Sequence, residues 1–462
     1  MTSPNIRWRE VSPGKWVRDF APVEDCMNFA TYLVPDQPQL CISMGGTMPE
    51  KKTVEDIKNA WVALRHSHPM IACKITSTGY EYQVPTEDEV RQWVEETVYV
   101  DYSGRTGEEL LISAVPSNSA AGELYFMPDT SEICILMRHE AIDGVGSMML
   151  LNQLLKAVRQ GTKVAKFGDE PARLTRSIDQ IMKKEKPSKS LIQRAFQMKE
   201  AYTKKRSLSL KTKPADTSAP GPSRKLECIF GETETSVILK ACKERGITIT
   251  NATTAAVVKA VLEVSGEESG NYCGFCPVNL RDSLPPPYNG QEGCVGNLLS
   301  GFWPVMPVTK SSQFLKLAKH HRKLCDDWRY KTDSVGCTVA LPKLLKTALT
   351  EAAIDRTEVP TTVSLVGLGI IDKHVTEPVE NFWFNLGLSV SLVVVYVYTV
   401  KGRLRYTIFF NEGFHEPSDI KELLDIIRLR SNAGLDLESA LVGGADGVIA
   451  RTVPADLLPT AP

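Results

Sequence analysis

The chain has 462 residues, 42% hydrophobic and 24% charged, and its 54 lysines and arginines are balanced by 55 aspartates and glutamates. These fractions are typical of a globular protein, and a net charge of −1 offers no basic excess for nucleic-acid binding. The most apolar run, residues 388–400, is shorter than the ~20 residues of a membrane helix, and the N-terminus shows no signal segment, so we expect a cytoplasmic protein with no membrane partner.

The first half of the chain predicts alternating helices and strands. Apolar residues spaced three and four apart favour amphipathic helices, and apolar runs bounded by turn residues favour strands. His68-Pro69 ends the first helix, because the residue before a proline disfavours helical geometry, and Gly161 follows the second helix. The predicted elements are a helix at 54–64, strands at 71–75, 80–84 and 132–137, and a helix at 147–158.

The second half repeats this alternation after a polar middle segment rich in Lys, Ser, Pro and Thr. The predicted elements are a strand at 225–230, helices at 234–244 and 251–265, strands at 389–400 and 404–411, and a helix at 417–430. A further helix is expected near 191–202 within the polar segment. We therefore predict an N-terminal lobe at 1–162, a crossover linker at 163–225, a C-terminal lobe at 226–436 and a flexible tail at 437–462.

Eleven cysteines are compatible with a reducing compartment and free thiols. The close pair Cys273 and Cys276 could form a redox or zinc site. Because no second pair lies nearby, the pattern favours two buried thiols. We predict no metal site and no bound cofactor.

His139 lies in the segment His-Glu-Ala-Ile-Asp-Gly, between the strand predicted at 132–137 and the helix predicted at 147–158. An imidazole there would be held firmly yet stay accessible, and imidazole can take a proton from a hydroxyl near neutral pH. The alternative is structural, with His139 as a half-exposed residue at a strand end and Asp143 as a helix cap.

Three motifs in order resemble the CoA-dependent acyltransferase superfamily, which includes the plant BAHD acyltransferases, chloramphenicol acetyltransferases, condensation domains and fungal trichothecene-type O-acetyltransferases. The first is the His-x-x-x-Asp-Gly segment from His139. The second is the helix followed by His68-Pro69. The third is Asn279-Leu280-Arg281 with the later Gly296-Asn297. The resemblance covers about residues 25–430 and implies an α/β fold of two chloramphenicol-acetyltransferase-like lobes, with mixed sheets and a channel at their interface.

The resemblance also implies roles for single residues. His139 and Asp143 would be the catalytic residues, with His139 as the general base and Asp143 acting structurally through a pair with Arg281. Gly144 would let the backbone turn close to the substrates. Asn297 would lie near the channel without a role that the sequence defines, and no residue can be assigned to coenzyme binding.

Two departures narrow the expected activity. Condensation domains carry a doubled histidine, but Arg138 occupies the first position here, and the BAHD Asp-Phe-Gly-Trp-Gly motif is absent around Phe384. We therefore expect a monomeric O-acyltransferase that moves an acetyl group from acetyl-CoA or another acyl-CoA to a hydroxyl of a small secondary metabolite. The alternatives are a donor bound to an acyl carrier protein, and a fold reused for non-acyl chemistry or for binding alone.

Overall fold

The computed structural model describes residues 4–31, 40–116, 120–161, 166–183, 188–204, 207–214, 220–331 and 363–437, with 336, 340, 342 and 346 as single positions. Residues 438–462 of the predicted tail lie outside the described residues.

Strands and helices alternate along both halves of the chain. The strands are β1 (Arg9–Ser12), β2 (Lys15–Asp19), β3 (Cys41–Thr47), β4 (Lys74–Ile75), β5 (Gly79–Gln83), β6 (Val98–Val100), β7 (Gly122–Met127), β8 (Glu132–Arg138), β9 (Ser223–Ile229), β10 (Ser269–Tyr272), β11 (Cys276–Asn279), β12 (Leu299–Phe302), β13 (Met306–Thr309), β14 (Val363–Ile370), β15 (Glu380–Leu386), β16 (Val393–Val400) and β17 (Arg403–Asn411). The α-helices are α1 (Pro22–Thr31), α2 (Val54–Ser67), α3 (Glu87–Thr97), α4 (Gly107–Leu111), α5 (Gly144–Gln160), α6 (Ile178–Ile181), α7 (Lys189–Lys204), α8 (Glu232–Glu244), α9 (Ile249–Val264), α10 (Phe314–Asp326) and α11 (Pro417–Gly434).

The N-terminal lobe is built on a five-stranded mixed sheet in the order β15-β3-β8-β7-β6. Its central strand, β8, is buried along its whole length, and the five residues between Glu132 and Arg138 are all apolar. Helices α2 and α5 pack together and against this sheet. The indole of Trp61, on α2, stacks on that of Trp93 with ring centroids 5.5 Å apart. His139 therefore directly follows a strand that is fixed by the packing of the lobe.

The C-terminal lobe is built on a four-stranded mixed sheet in the order β14-β16-β17-β9. Helix α9 lies against this sheet and against α10 and α11, and its alanines and threonines let the three helices approach closely. The β16–β17 hairpin turns at Lys401 and Gly402, whose φ values of 48° and 71° match the type of two-residue turn that fits the strand twist. The same sheet contains the parallel pair β14 and β16.

Strand β15 joins the two halves of the chain. It lies between β14 and β16 in sequence, but it pairs antiparallel with β3 at the edge of the N-terminal sheet, with Phe384 opposite Met44. The sequence analysis did not include this exchange, and the lobe boundaries remain a prediction. The exchange brings aromatic residues of the second half into contact with strand β3.

Most predicted elements are present, with two informative shifts at their ends. Helix α5 begins at Gly144 rather than 147, because the Asp143 side chain caps it. The strand predicted at 71–75 is a 3₁₀ turn, Pro69–Ala72, followed by the two-residue strand β4. Among the described residues, no single helix meets the length and apolarity of a membrane span; α8 and α9 meet them only together, as a pair bent by 94°.

Candidate active site

The turn between β8 and α5 holds the main chain of His139 from two sides. Its amide donates to the carbonyl of Leu40 at 3.2 Å, and its carbonyl accepts from Nδ2 of Asn297 at 2.7 Å. Beside it, Arg138 forms a buried ion pair with Glu140 at 2.7 Å. The backbone under the imidazole is therefore fixed by both halves of the chain.

The imidazole ring of His139 has fewer contacts to protein groups than its backbone has. It lines a cavity, and its Nδ1 atom is buried without a hydrogen-bond partner among the described residues. Neither Asp143 nor any other described carboxylate hydrogen-bonds this ring, so the site lacks the carboxylate–imidazole contact of a serine hydrolase triad among the residues described.

The carboxylate of Asp143 is fully engaged by protein groups. Oδ1 accepts from the Gly146 amide at 2.8 Å and from Nη1 of Arg281 at 2.8 Å, and Oδ2 accepts from Nη1 of Arg281 at 2.9 Å and from the Leu298 amide at 2.8 Å. Both side chains of the ion pair are almost completely buried, at 3% and 2% exposure. The predicted pairing of Asp143 with Arg281 is present, and it ties helix α5 to the segment after β11.

Arg281 extends this link to the backbone. Its Nη2 donates to the carbonyl of Cys294 at 3.0 Å and reaches that of Gly296 at 3.5 Å. A Cβ on Gly146 would lie 2.4 Å from the Cys294 carbonyl oxygen and 2.8 Å from Nη2 of Arg281, so this position accepts only glycine without rearrangement. By contrast, a Cβ on Gly144 would meet only Leu368, at 3.8 Å.

The cavity beside His139 lies between the two lobes and has a volume of about 350 Å³. Its walls come from α1, β3 and α5 on one side and from β11, β12, β14 and β16 on the other, with β15 between them. Most lining side chains are apolar. The aromatic ones are Phe275, Trp303, Phe382, Phe384 and Tyr396, and the uncharged polar ones besides the tyrosine are Asn279, Ser300, Ser364 and Asn385.

Comparisons with known proteins agree on the architecture. No protein-family model matches the chain. The chain is 24% identical over 439 residues to O-acetyltransferase pigM of Monascus ruber, an alignment that covers 91% of this chain and 85% of the relative. Acetyltransferase pigO of the same organism is 23% identical over 325 residues, covering 66% of this chain and 70% of the relative.

Solved structures superpose over nearly the whole chain. The trichothecene 15-O-acetyltransferase TRI3 from Fusarium sporotrichioides matches with a TM-score of 0.79 at 16% identity, covering 93% of this chain and 98% of that one. The epimerization domain of the third module of tyrocidine synthetase B matches with a TM-score of 0.62 at 13% identity, covering 94% and 98%. The fold is shared with this trichothecene acetyltransferase and this epimerization domain. The fold class predicted from the sequence, with its two lobes, is confirmed.

Within this fold, the four predicted site residues line one cavity. His139, Asp143, Gly144 and Arg281 all contribute to its wall, although they come from two distant parts of the chain. Asn297 is not part of the wall but holds the carbonyl of His139. The sequence left that residue without a role, because a side chain that acts on a distant main-chain carbonyl has no local signature.

The sequence analysis missed the walls of the cavity. The aromatic residues of β15 and Tyr396 of β16 stand in apolar strands, where nothing in the local pattern separates a lining residue from a core residue. Tyr396 packs edge-on against Phe384 with ring centroids 5.0 Å apart, and burial raises the pKa of its phenol above the usual range. That phenol is therefore a neutral group at physiological pH.

Proposed function

We propose that the protein is an O-acetyltransferase that moves an acetyl group from acetyl-CoA to a hydroxyl of an apolar secondary metabolite, with His139 as the general base. The observation that carries this proposal is the contrast at the turn before α5. The imidazole of His139 lines an interlobe cavity with no partner for Nδ1 among the described residues, while both oxygens of Asp143 are already engaged.

In the proposed reaction, the acceptor hydroxyl attacks the thioester carbonyl carbon while the imidazole takes its proton. We assign the base to Nε2, because Nδ1 is buried, and this assignment requires the tautomer with the proton on Nδ1. The tetrahedral intermediate then collapses, the carbon–sulfur bond breaks and the proton passes to the leaving thiolate. The products are an ester and a free coenzyme thiol, and a positioned base contributes ~10²–10⁴-fold to such a step.

The cavity walls support an apolar acceptor. Aromatic side chains from β15 and β16 face a space of about 350 Å³, which is the size of a pocket that encloses a small organic molecule. The names of two similar proteins also support such an acceptor. One is an azaphilone biosynthesis cluster protein of Aspergillus terreus, 23% identical over 327 residues, and the other is the trichothecene acetyltransferase that shares the fold. We therefore expect a polycyclic or polyketide-like alcohol to be a better acceptor than a sugar or an amino acid.

A coenzyme thioester is the donor that we favour over a carrier protein. The position before His139 is Arg138, whose guanidinium is occupied by Glu140 inside the lobe. The doubled histidine that the sequence analysis associated with condensation domains is thus replaced here by an arginine that is bound inside the lobe.

The test is release of free thiol from acetyl-CoA in the presence of a panel of apolar alcohols, followed with a thiol reagent and by mass spectrometry of the ester. We expect thiol release that depends on the acceptor and that disappears in His139→Ala. Transfer from an acetylated carrier protein but from no acyl-CoA would replace the proposed donor. Absence of transfer from both donor types, with folded protein, would reject acyl transfer.

A further inference from the structure

A second cluster of reactive groups lies outside the cavity, between β11 and α10. The sulfurs of Cys276 and Cys325 and a ring nitrogen of His321 all lie within 4.8 Å of one another. His321 and Cys325 stand four residues apart on α10, so they share one face of the helix. The sequence analysis grouped Cys276 with Cys273 as two buried thiols. That expectation was wrong for Cys276, which is only partly buried and contacts Cys325 instead.

These two sulfurs differ from the other described cysteines in accessibility. Of the ten cysteines that the structure describes, Cys276 and Cys325 are the two that are not buried. Along β11, Pro277 lines the active-site cavity, and because side chains of a strand alternate, Cys276 points to the opposite side, towards α10. The pair therefore lies outside the active-site cavity, on the other side of β11.

Hydrogen bonds determine the tautomer of His321. The backbone amide of Thr248 donates to Oδ1 of Asn251 at 3.1 Å, so the amide group of Asn251 must present its Nδ2 donor to the other side. That donor lies 3.1 Å from Nδ1 of His321, which must then accept, and the ring proton of a neutral His321 is on Nε2. Nε2 lies 3.7 Å from the sulfur of Cys325 and donates to it.

The sulfur of Cys325 thus receives a hydrogen bond from the imidazole of His321, and the sulfur of Cys276 lies within 4.8 Å of it. The hydrogen bond from Cys276, followed by that from His321, lowers the pKa of Cys325 below its usual range against the opposing effect of burial. The same hydrogen bond raises the pKa of Cys276. Because the imidazole of His321 donates to Cys325 and not to Cys276, a thiolate of this pair is favoured on Cys325, and thiolates are the reactive form of cysteine.

We propose that Cys325 and Cys276 form a peroxide-reactive dithiol that closes to a disulfide. The Cys325 thiolate attacks a hydroperoxide, taking one oxygen atom to become a sulfenic acid while the peroxide O–O bond breaks and hydroxide or an alkoxide leaves. The Cys276 sulfur then attacks the sulfenic sulfur, a sulfur–sulfur bond forms, and water leaves. With hydrogen peroxide the sum is two thiols plus one peroxide giving one disulfide and two waters. The inference does not depend on the proposed acetyl transfer.

A zinc site is the main competing interpretation of two cysteines and a histidine. For Nε2 of His321 to bind a metal, the proton would have to be on Nδ1 and donate to an acceptor, as metal-bound imidazoles usually do. Here Nδ1 faces the Nδ2 donor of Asn251, whose oxygen is held by Thr248. The surroundings of His321 therefore favour donation to a thiolate over metal binding.

The first experiment compares cysteine reactivity in the reduced full-length protein. Iodoacetamide at pH 6 with peptide mapping should modify Cys325 on the order of 10-fold faster than any buried cysteine, because the larger thiolate fraction outweighs the lower intrinsic nucleophilicity. His321→Gln should slow this reaction, whereas Cys273→Ser should not change it. Equal labelling rates for Cys325 and the buried cysteines would overturn the proposal.

The second experiment treats the reduced protein with hydrogen peroxide and maps disulfides without reduction. The expected product joins Cys276 to Cys325. Cys276→Ser should leave a sulfenic acid on Cys325 that dimedone traps, and Cys325→Ser should give neither product. Cys337 lies outside the described residues, so the mapping is repeated in Cys337→Ser, which should still form the disulfide between Cys276 and Cys325. A disulfide through Cys273 or Cys337, or stoichiometric zinc binding by the reduced protein that is lost in Cys325→Ser, would contradict the dithiol.

Discussion

His139 and Asp143 are four residues apart on one turn, and their surroundings are opposite. The ring of His139 lines the cavity and has no described partner for Nδ1. The carboxylate of Asp143 is buried and takes hydrogen bonds from helix α5, from Arg281 and from the Leu298 amide. The hydrogen-bonding capacity of the Asp143 carboxylate is taken up by the protein, whereas the ring of His139 faces the cavity with no described carboxylate bound to it. The comparison separates a residue suited to chemistry from one suited to holding two segments together.

The largest effect is expected for His139→Ala. We predict a fall in kcat of at least ~10²-fold, with little change in KM or melting temperature, because the imidazole acts on a proton that moves only in the transition state. Steady-state kinetics together with thermal denaturation check this. A folded variant with the wild-type rate would remove His139 from the chemistry, and activity that followed only the folded fraction would make it a packing residue.

Asp143→Ala should act on stability first. Removing one partner of a buried pair strands the other charge and costs about 3–5 kcal/mol, so we predict a large loss of melting temperature together with activity. Arg281→Ala should behave alike. Chemical denaturation should show that the double variant loses less free energy of unfolding than the two single variants lose when their losses are added. Strict additivity would mean that the two side chains stabilise the fold independently.

Two glycines of the same helix provide a matched pair. The Cβ of Gly146→Ala would collide with the Cys294 carbonyl, at 2.4 Å, and we predict a destabilisation of about 1–3 kcal/mol. The Cβ of Gly144→Ala finds ordinary contact at 3.8 Å and projects towards the cavity, so stability should be unchanged while kcat/KM for bulky acceptors falls. Denaturation and acceptor kinetics of the two variants separate these effects, and a reversal between them would contradict the described packing.

Asn297→Ala should have a smaller effect. It removes the hydrogen-bond donor that lies 2.7 Å from the His139 carbonyl oxygen. The loss of such a hydrogen bond costs about 1 kcal/mol. If that cost appears in the transition state, the rate falls roughly fivefold. We predict a lower kcat with little change in KM. An unchanged kcat would show that the backbone of β8 positions His139 without this amide.

The smallest expected effect is a pH dependence of stability that is separate from catalysis. Burial lowers the pKa of His68, although its hydrogen bond with Gln153 opposes the shift. His68 in the unfolded chain therefore binds a proton more readily than in the folded protein. The contribution of neutral His68 to the free energy of unfolding is complete above the unfolded pKa of about 6.5 and is lost as the pH falls below it. Denaturant titrations between pH 7 and 5 should show a shallower loss in His68→Gln, and an equal slope would exclude His68.

What the sequence determined by itself was the turn that carries His139 and Asp143. Hydrophobic periodicity located the strand before His139 and the helix after Asp143, since both patterns are local. The resemblance to the acyltransferase superfamily implied that Arg281 pairs with Asp143, and the structure contains that pair. The two-lobe fold followed from the same motifs, because together they span most of the chain.

Only the tertiary structure decided the shape of the cavity and the partners of distant residues. The exchange of β15 onto β3, the contact of Asn297 with the His139 carbonyl and the meeting of Cys276 with Cys325 all join segments far apart in sequence. Apolar strand residues look alike whether they face a core or a cavity, and a cysteine carries no local sign of its spatial neighbour. Such pairings depend on how the sheets and helices pack, and a linear pattern does not encode them.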